Sequence, residues 1–597
     1  MTSRLGLVVV PAAIVGFLTG AWQQPTWQDV IEPAQVLAGL VSYPADNPVY
    51  LYSTLTWTLL HQITAALLAL GVAEVDLTVV ISGVIGALSF VALALATRAC
   101  GAPAPVAAAA PLLIYLSGVA RLTPGYPVLL LGWPYTYGLI AHALAVMVLA
   151  LVALRRDRLA AVLLGVLPAV HPGMGGLLTL VVAGVIAIYA PLRMRSARVW
   201  PWWCLGLGIT LASAALHWGM FVPDTSHLMR SPELEESLRV YWDGHRQPLA
   251  YTTTDVIVAL AVPIVMLFWC HTSAQQDADE PARELGLLLL VAVAIGVAAD
   301  LVLRVAPAPL AQIVSMPMPT RLLVLPVLVG APWFIGIATS ATTPGAVRMV
   351  LQAMLVGLVA IVCPVVGVAE HMDVLEVPGL DWLVNSRGSV AQAILLILGA
   401  GLVGAFLLPR SIRRHMAGTP LVLVEKALPA VLTALVTFQI VQVVRDHTDN
   451  PAPIADRTTN AVLAAAAAGT GLLVTDADLH LMQAATRRPL LIDPGALDGL
   501  PYVPVAVRMS DHILRDVYDT TLGAPPEGDE GAAGVVPSTA DDTWVIRTPE
   551  QWQALGAMYG FTDILTTPEL TLQLPEVARD DTLVLWRIPR PAAAPHP

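Results

Sequence analysis

The chain has 597 residues, of which 56% are hydrophobic and only 12% are charged, and its mean hydropathy is +0.72. Soluble domains carry about 25% charged residues, so the composition excludes a soluble globular protein and indicates an integral membrane protein. The net charge of −12 argues against nucleic acid as a partner.

The first apolar run, Leu5 to Trp22, follows only four residues and lacks a clear small-residue cleavage site. We therefore expect a retained signal-anchor helix. It opens into a polar segment, residues 23–50, which carries three acids: Asp29, Glu32 and Asp46. Ionisable groups beside a bilayer are candidates for function by default, so this first loop is the most informative stretch of the chain.

Arginine placement predicts the topology, because cytoplasmic loops carry the excess of positive charge. If residues 51–70 crossed the membrane, the cluster at 155–158 would face outward. We therefore predict that 51–70 is an amphipathic helix on the outer surface, that the N-terminus is cytoplasmic, and that residues 23–75 lie outside.

The remaining apolar runs predict a ladder of spans, each near the ~20 residues that cross a bilayer. They are expected near 76–97, 104–120, 137–154, 159–170, 174–191, 200–219, 252–270, 284–304, 321–340, 347–368, 390–408 and 427–444. With the first helix this makes roughly thirteen. The two spans around His171 are short and interrupted by Pro and Gly, which predicts a hairpin that reaches the outer face only shallowly.

Residues 445–597, here called the tail, are expected to form a separate outer domain. Helices are predicted at Asn460–Ala468, Asp478–Thr486 and near Asp511–Tyr518, and strands at Gly471–Thr475, Pro489–Ile492 and Thr582–Ile588. Residues 522–542 are predicted to be a flexible loop. The segment from Asp542 to Thr567 is predicted to form a strand, a helix and a second strand. Alternation of this kind favours a small α/β layer. No phosphate-binding glycine motif follows a strand.

Three stretches resemble one family. Residues 34–71 are similar to a juxtamembrane run of small residues followed by PxYxxLxAxxxxLxG, 159–196 to a pair of short helices, and 321–338 to a late helix RYLLPxxPxLAxLA. The plan resembles the GT-C superfamily of glycosyltransferases, in particular its protein O-mannosyltransferase and aminoarabinose-transferase branch. It covers residues 1–444, which we expect to be a GT-C-like transmembrane domain.

The resemblance implies sugar transfer from a polyprenyl-phosphate donor to a glycan, lipid or protein acceptor. The acceptor hydroxyl would be extracytoplasmic, and a carboxylate would act as base with inversion. The family's Asp-Glu pair is missing before Gly39, where Gln24 falls, and the loop has no DxD. Two alternatives therefore stay open. One is a polytopic transporter or flippase for lipid-linked glycans. Transporters tend to contain internal repeats, and the sequence shows none. The other is a non-catalytic GT-C-like scaffold in envelope polysaccharide assembly.

The candidate bases are the acids of the first loop. Asp29 and Glu32 are three residues apart, hence on one face if 27–38 is helical, and Pro33 is acceptable in the first turn of such a helix. Glu32 is preferred because it adjoins the matching run. Asp46 lies in a Pro-Ala-Asp-Asn-Pro turn, where an aspartate often bonds only its own backbone.

A departing phosphate requires cationic donors. The outer arginines are Arg121, Arg230, Arg239, Arg246 and Arg321, of which Arg321 and Arg121 flank spans; an acidic partner or snorkelling is the alternative for each. The substrate-binding candidates also include His171 in its helix break, His61 and Gln62 on the surface helix, and Tyr126 and Tyr135, which could equally belong to an interfacial aromatic belt.

No cofactor can be inferred. The four cysteines are isolated, and His, Asp and Glu lack metal spacing, so a divalent metal is open only through the family. We expect a multi-pass protein of a bacterial inner membrane.

Overall fold

The computed structural model describes residues 2–22, 27–116, 136–243, 246, 253–272, 280–340, several residues between 343 and 354, 454–525 and 534–589. The spans expected near 390–408 and 427–444, and most of that near 347–368, lie outside the described residues.

The part that precedes the tail is helical. Its helices are α1 (Thr2–Trp22), α2 (Ile31–Leu37), α3 (Pro48–Leu55), α4 (Leu59–Ala69), α5 (Glu74–Ala99), α6 (Ala104–Leu116), α7 (Thr136–Ala153), α8 (Asp157–Val170), α9 (Pro172–Ile188), α10 (Ala190–Ser196), α11 (Trp200–Met220), α12 (Pro232–Ser237), α13 (Thr253–Thr272), α14 (Glu280–Val305), α15 (Ala308–Ser315) and α16 (Val324–Thr339). A π-helical turn follows α12, and a 3-10 turn, Pro319–Leu323, precedes α16.

Within the described ranges, six helices are long and apolar enough to cross a membrane, or seven if α9 and α10, which meet at 116°, form one broken span. The six are α1, α5, α7, α11, α14, and α16 with its preceding 3-10 turn. The chain is therefore a polytopic α-helical membrane protein with a small C-terminal sheet.

Small residues let the first span pack closely against the second. A Cβ at Gly16 would meet the Gly86 carbonyl oxygen at 2.4 Å, and one at Gly20 would meet the Ser82 carbonyl oxygen at 2.2 Å. Apolar surface gives helices no reason to associate in lipid, so such close backbone contact is what holds membrane helices together. The contact places the loop after α1 beside the beginning of α5.

The first loop differs from prediction in two places. Residues 27–38 are not wholly helical: α2 begins at Ile31, and Asp29 lies in the preceding turn. Residues 51–70 form two helices instead of one, because Thr58 is extended and caps α4 by accepting the N–H of Leu60 at 3.3 Å. Neither α3 nor α4 has the length of a span, as expected of juxtamembrane helices.

The tail contains helices α17 (Ala461–Ala467), α18 (Met482–Thr486), α19 (Val507–Tyr518), α20 (Pro537–Trp544) and α21 (Pro549–Tyr559). Strands β1 (Leu472–Thr475), β2 (Phe561–Thr566), β3 (Glu576–Arg579) and β4 (Val584–Arg587) form a sheet in the order β1-β2-β4-β3. Strand β1 is parallel to β2, whereas β4 is antiparallel to β2 and β3.

Several tail elements correct the sequence interpretation. The strand expected at Pro489–Ile492 is a single parallel bridge from Leu490 to Leu473. The strand expected just before α21 is instead the end of α20 and a turn, since Trp544 is wholly buried as part of that helix. The loop predicted at 522–542 thus ends in a helix. The helix predicted from Asp478 begins only at Met482.

One end of the helical part carries arginine–carboxylate pairs, and the tail covers the other end. At one end, Arg195 pairs with Asp157 at 3.2 Å and with buried Glu284, and Arg155 pairs with Glu280. At the other end the tail covers the first loop and the segment after α11, and Leu51 and Trp242 are buried in one hydrophobic cluster with tail residues. The segments that the sequence places on one side thus lie together.

Candidate functional site

Asp29 lies between two points at which the first loop is held. On its N-terminal side, the Gln28 amide donates to the Ser82 hydroxyl of α5 at 3.3 Å and accepts from the Thr136 hydroxyl of α7 at 2.9 Å. On its C-terminal side α2 begins, with the N–H of Ile31 donating to the Gln28 carbonyl at 2.9 Å. The turn that carries Asp29 is therefore fixed against two membrane helices.

Glu32 is bound to the tail. Its Oε1 accepts the backbone N–H of Gln483 at 3.0 Å and that of Ala484 at 3.2 Å, at the start of α18. The Gln483 amide donates in turn to the Glu32 carbonyl at 2.8 Å. A carboxylate on the first N–H groups of a helix satisfies donors that have no partner within the helix. The Glu32 side chain thus fastens the tail to the first loop.

Other bonds complete this interface. The Asn47 amide donates to the carbonyls of Leu490 and Leu491 at 3.1 and 3.0 Å, and the Tyr43 hydroxyl accepts the N–H of Leu490 at 3.0 Å. Glu74, at the start of α5, pairs with Arg487 and with Arg457 of the tail. The tail, the first loop and the starts of α5 and α7 therefore surround Asp29, and they are here called the enclosure.

The two acids of the enclosure, Asp29 and Glu32, both have a raised pKa. Burial raises the pKa of Asp29 to about 8, and the nearby His480 works against that rise. Burial likewise raises the pKa of Glu32, with Asp493 adding to the effect. Asp29 Oδ1 is buried and has no hydrogen-bond partner among the described residues. A buried carboxylate whose second oxygen is not engaged can accept a proton from a bound hydroxyl.

Arg321 and His171, two sequence candidates, lie together. Nη1 of Arg321 is 3.0 Å from Nε2 of His171, and the Arg321 residue is 7% exposed. His171 caps α9 by accepting the N–H of Met174 on Nδ1 at 3.2 Å. A guanidinium has only N–H donors, so the pair places a fixed positive charge beside the His171 ring. An anion lying beside the pair, and not between the two nitrogens, would accept from the guanidinium.

Helix α7 links the two parts of the site. The Tyr137 hydroxyl lies 2.6 Å from Nε2 of His61, and its phenol is within electrostatic range of Asp29 and Glu32. Five residues further along, His142 is within range of Arg321. The carboxylates and the arginine therefore lie near the same end of one helix.

The other sequence candidates lie elsewhere. Gln62 is bound to Ser213 of α11 through both its amide atoms, at 2.7 and 2.8 Å. Asp46 is half-exposed and pairs with His227 at 2.9 Å. Each of three arginines has an acidic partner: Arg230 has Glu235, Arg239 has Glu236 and Arg246 has Asp243. Arg121, Tyr126 and Tyr135 lie outside the described residues.

Sequence reasoning missed the tail residues at the site. His480 and Asp493 form an ion pair at 2.8 Å and act electrostatically on both acids. The available signal was their position, each a few residues after a predicted strand. Among the described residues, no group of three His, Cys, Asp or Glu side chains could hold a metal ion.

No protein-family model and no curated protein matches the chain. Two crystal structures of ArnT from Cupriavidus metallidurans are similar to it, one in the apo state and one bound to undecaprenyl phosphate. Their identities are 14% and 12%, the similarity covers 98% of this chain and of theirs, and the TM-score is 0.37 for each. ArnT is a GT-C aminoarabinose transferase, from the branch that the sequence motifs resemble. With these identities and this TM-score, function has to be argued from the contacts at the site.

Proposed function

We propose that this protein is a GT-C-type glycosyltransferase that transfers a sugar from a polyprenyl-phosphate-linked donor to an acceptor hydroxyl, with inversion at the sugar. The observation that carries the proposal is the Asp29 carboxylate, whose Oδ1 is buried and has no hydrogen-bond partner among the described residues, in the turn that follows the first membrane helix. A lipid-linked donor presents its reactive carbon at this level, close to the bilayer surface.

Asp29 is the better candidate for the base, although the sequence favoured Glu32. The Glu32 Oε1 atom already accepts two backbone N–H groups, and a proton acceptor that is occupied in this way is a poor base. Asp29 has no such contact on Oδ1. Its pKa of about 8 also lies near neutral pH, which is where a general base works best.

Arg321 and His171 are the proposed donors for the leaving phosphate. Their facing nitrogens lie 3.0 Å apart, so a phosphate oxygen bound beside the pair would be within reach of both side chains. Charge-assisted bonds from a guanidinium are among the strongest that proteins make to phosphate. They would stabilise the negative charge that develops as the polyprenyl phosphate departs.

The proposed setting is a bacterial inner membrane with the N-terminus in the cytoplasm and the tail outside. The gathering of arginines at the end opposite the tail supports this orientation, because cytoplasmic ends carry the excess of positive charge.

The test is sugar transfer by the purified full chain in lipid, supplied with polyprenyl-phosphate sugars and a panel of acceptors. Turnover by the wild type and its loss in Asp29→Asn, with donor binding kept, would support the proposal. Movement of the lipid-linked sugar across the bilayer without transfer would favour the flippase alternative. If the protein neither transfers the sugar nor moves the lipid-linked sugar across the bilayer, the non-catalytic scaffold is the alternative that remains.

A further inference from the structure

The tail presents one particular edge of its sheet to the first loop. Residues 489–491 run parallel to β1, with the N–H of Leu473 donating to the Pro489 carbonyl and the N–H of Leu491 to the Leu473 carbonyl, both at 2.8 Å. Because β1 is also parallel to β2, three segments end at the same edge. Ligands of such sheets bind beyond the carboxyl ends of the strands.

That edge carries polar side chains just beyond the segments. Asp493 follows the 489–491 segment, and His480 lies in the connection from β1 to α18. Nδ1 of His480 is 3.0 Å from Oδ1 and 2.8 Å from Oδ2 of Asp493. The ring has room because residue 495 is a glycine: a Cβ there would lie 3.0 Å from Nδ1.

The chain also brings this pair to the proposed base. His480 precedes Gln483 by three residues, and the N–H groups of Gln483 and Ala484 are bound by Glu32. Glu32 lies three residues after Asp29, whose turn is held by the Gln28 bonds to α5 and α7. The chain and these hydrogen bonds thus place His480 and Asp29 at the same interface between the tail and the first loop.

We infer that His480, oriented by Asp493, is a positioning residue of the glycosyltransferase site: it is the cation that the tail brings to the interface with the first loop, and its positive charge favours the carboxylate form of Asp29, the form that serves as the base. The inference rests on the proposed function and adds a role for the tail within the same site. His480 acts through Asp29, not on the substrate.

The charges around the pair support a cationic ring. Burial by itself lowers the pKa of His480, but Asp493, Asp29 and Glu32 outweigh burial and raise it to about 10. Asp498 faces Asp29 from the tail, and three phenols line the enclosure, Tyr43, Tyr52 and Tyr137, each within range of one or both acids. Among these groups, His480 is the cation that most strongly favours ionised Asp29.

The charge on His480 changes the pKa of Asp29 in a predictable direction. An imidazolium next to a carboxylate lowers the pKa of that carboxylate, so loss of the positive charge raises the pKa of Asp29. In His480→Gln, Asp29 should keep its proton to a higher pH, by about one unit or more for a close opposite charge. In His480→Arg the charge remains, and the midpoint should stay near that of the wild type.

The experiment follows protonation of Asp29 in the full chain without needing turnover. Dicyclohexylcarbodiimide reacts with protonated carboxyl groups, and tandem mass spectrometry of the modified peptide quantifies labelling at Asp29 across a pH series. His512→Gln is the matched control, because His512 is an exposed histidine on α19 of the same tail. Thermal unfolding confirms that each variant is folded.

The expected result is an upward shift of the labelling midpoint in His480→Gln only. An unchanged midpoint in His480→Gln, or equal shifts in the Gln and Arg variants, would overturn the inference even if the wild type transfers sugar. If His480→Gln does not fold, exchange of the ring C2 hydrogen in the wild type decides: His480 should titrate well above the ordinary value for a histidine, and titration at that ordinary value would overturn the inference. Absence of transfer with the labelling shift present would instead count against the proposed function.

Discussion

The guanidinium of Arg321 lies 3.0 Å from the imidazole of His171, although 150 residues separate them in the chain. Arg321 lies in the 3-10 turn before α16, and His171 is the residue at which α8 ends and α9 begins. Two irregular points in the helical part thus meet, and irregular backbone within a membrane is expected only where protein or a polar cavity surrounds it.

Replacement of Arg321 should weaken binding of the lipid phosphate. A hydrogen bond to a charged group contributes about 1.5–3 kcal/mol, so Arg321→Gln should bind polyprenyl phosphate about 10- to 100-fold less tightly. Titration of the purified protein with polyprenyl phosphate measures this. Arg230→Gln is the matched control, since Arg230 is 55% exposed and bonded to Glu235. Unaltered affinity in Arg321→Gln would remove Arg321 from the phosphate site.

Asp29→Asn should abolish catalysis without unfolding the protein. The amide keeps the shape of the side chain but cannot accept the proton, and loss of a general base lowers turnover about 100- to 10,000-fold. Donor binding should be retained, because the phosphate contacts are assigned to Arg321 and His171. Single-turnover assays with measured donor occupancy separate the two effects. Wild-type turnover in Asp29→Asn would place the base elsewhere.

Turnover should rise with pH through about 8. The pKa of Asp29 is raised to about 8 by burial, and the base works only as the carboxylate, so the active fraction grows as the pH passes this value. A pH–rate profile at saturating acceptor tests the expectation. A profile that is flat between about pH 6 and about pH 9 would contradict Asp29 as the titrating base.

The raised pKa of Asp29 should make the protein less stable as the pH rises, although it makes turnover faster. A carboxyl group with a raised folded pKa binds its proton more tightly in the folded state, so its contribution is present at low pH and is lost as the pH rises toward about 8. Thermal unfolding at several pH values should therefore show a weaker pH dependence in Asp29→Asn than in the wild type.

Glu32→Ala should loosen the tail and reduce stability more than it affects chemistry. The substitution leaves the N–H groups of Gln483 and Ala484 buried without their acceptor, which costs about 1–3 kcal/mol. The measurement is the unfolding temperature together with protease sensitivity of the tail. Asp542→Ala, at an exposed tail position, should change neither. A fully stable Glu32→Ala with no turnover would restore Glu32 as the candidate base.

Asp46→Asn should be close to neutral. Asp46 and His227 are 50% and 55% exposed, and exposed ion pairs contribute little because water screens them. We expect a stability change within about 0.5 kcal/mol and unchanged turnover. A large loss of turnover would show that Asp46, and not Asp29, activates the acceptor.

The long elements followed from the sequence because their signals are local. Runs such as 76–97, 137–154 and 284–304 match α5, α7 and α14 closely, since hydrocarbon-compatible composition over some 20 residues leaves a helix as the only satisfied backbone. The helix predicted at Asn460–Ala468 is confirmed as α17, and Asn460 is its cap, because its side chain accepts the N–H groups of Val462 and Leu463.

The short elements of the tail were harder to predict from the sequence, because their stability depends on contacts with distant residues. A strand of four residues, such as β3, buries little of its own surface and exists through its pairing with β4. The residues around Trp544 are compatible with strand or helix, and burial of the indole between Tyr518 and Trp552 selects the helix.

The sequence by itself determined that the chain is a membrane protein and where long apolar helices such as α5, α7 and α14 run, and it predicts that the acids after the first helix belong to the functional site. Hydropathy and charge are properties of local segments, so they are legible without a fold. Only the tertiary structure shows what each acid contacts: Glu32 accepts from Gln483 and Ala484, whereas Oδ1 of Asp29 has no hydrogen-bond partner among the described residues and is under the electrostatic influence of His480 and Asp493. These relations join residues more than 400 positions apart, and burial and proton affinity depend on such partners, not on neighbours along the chain.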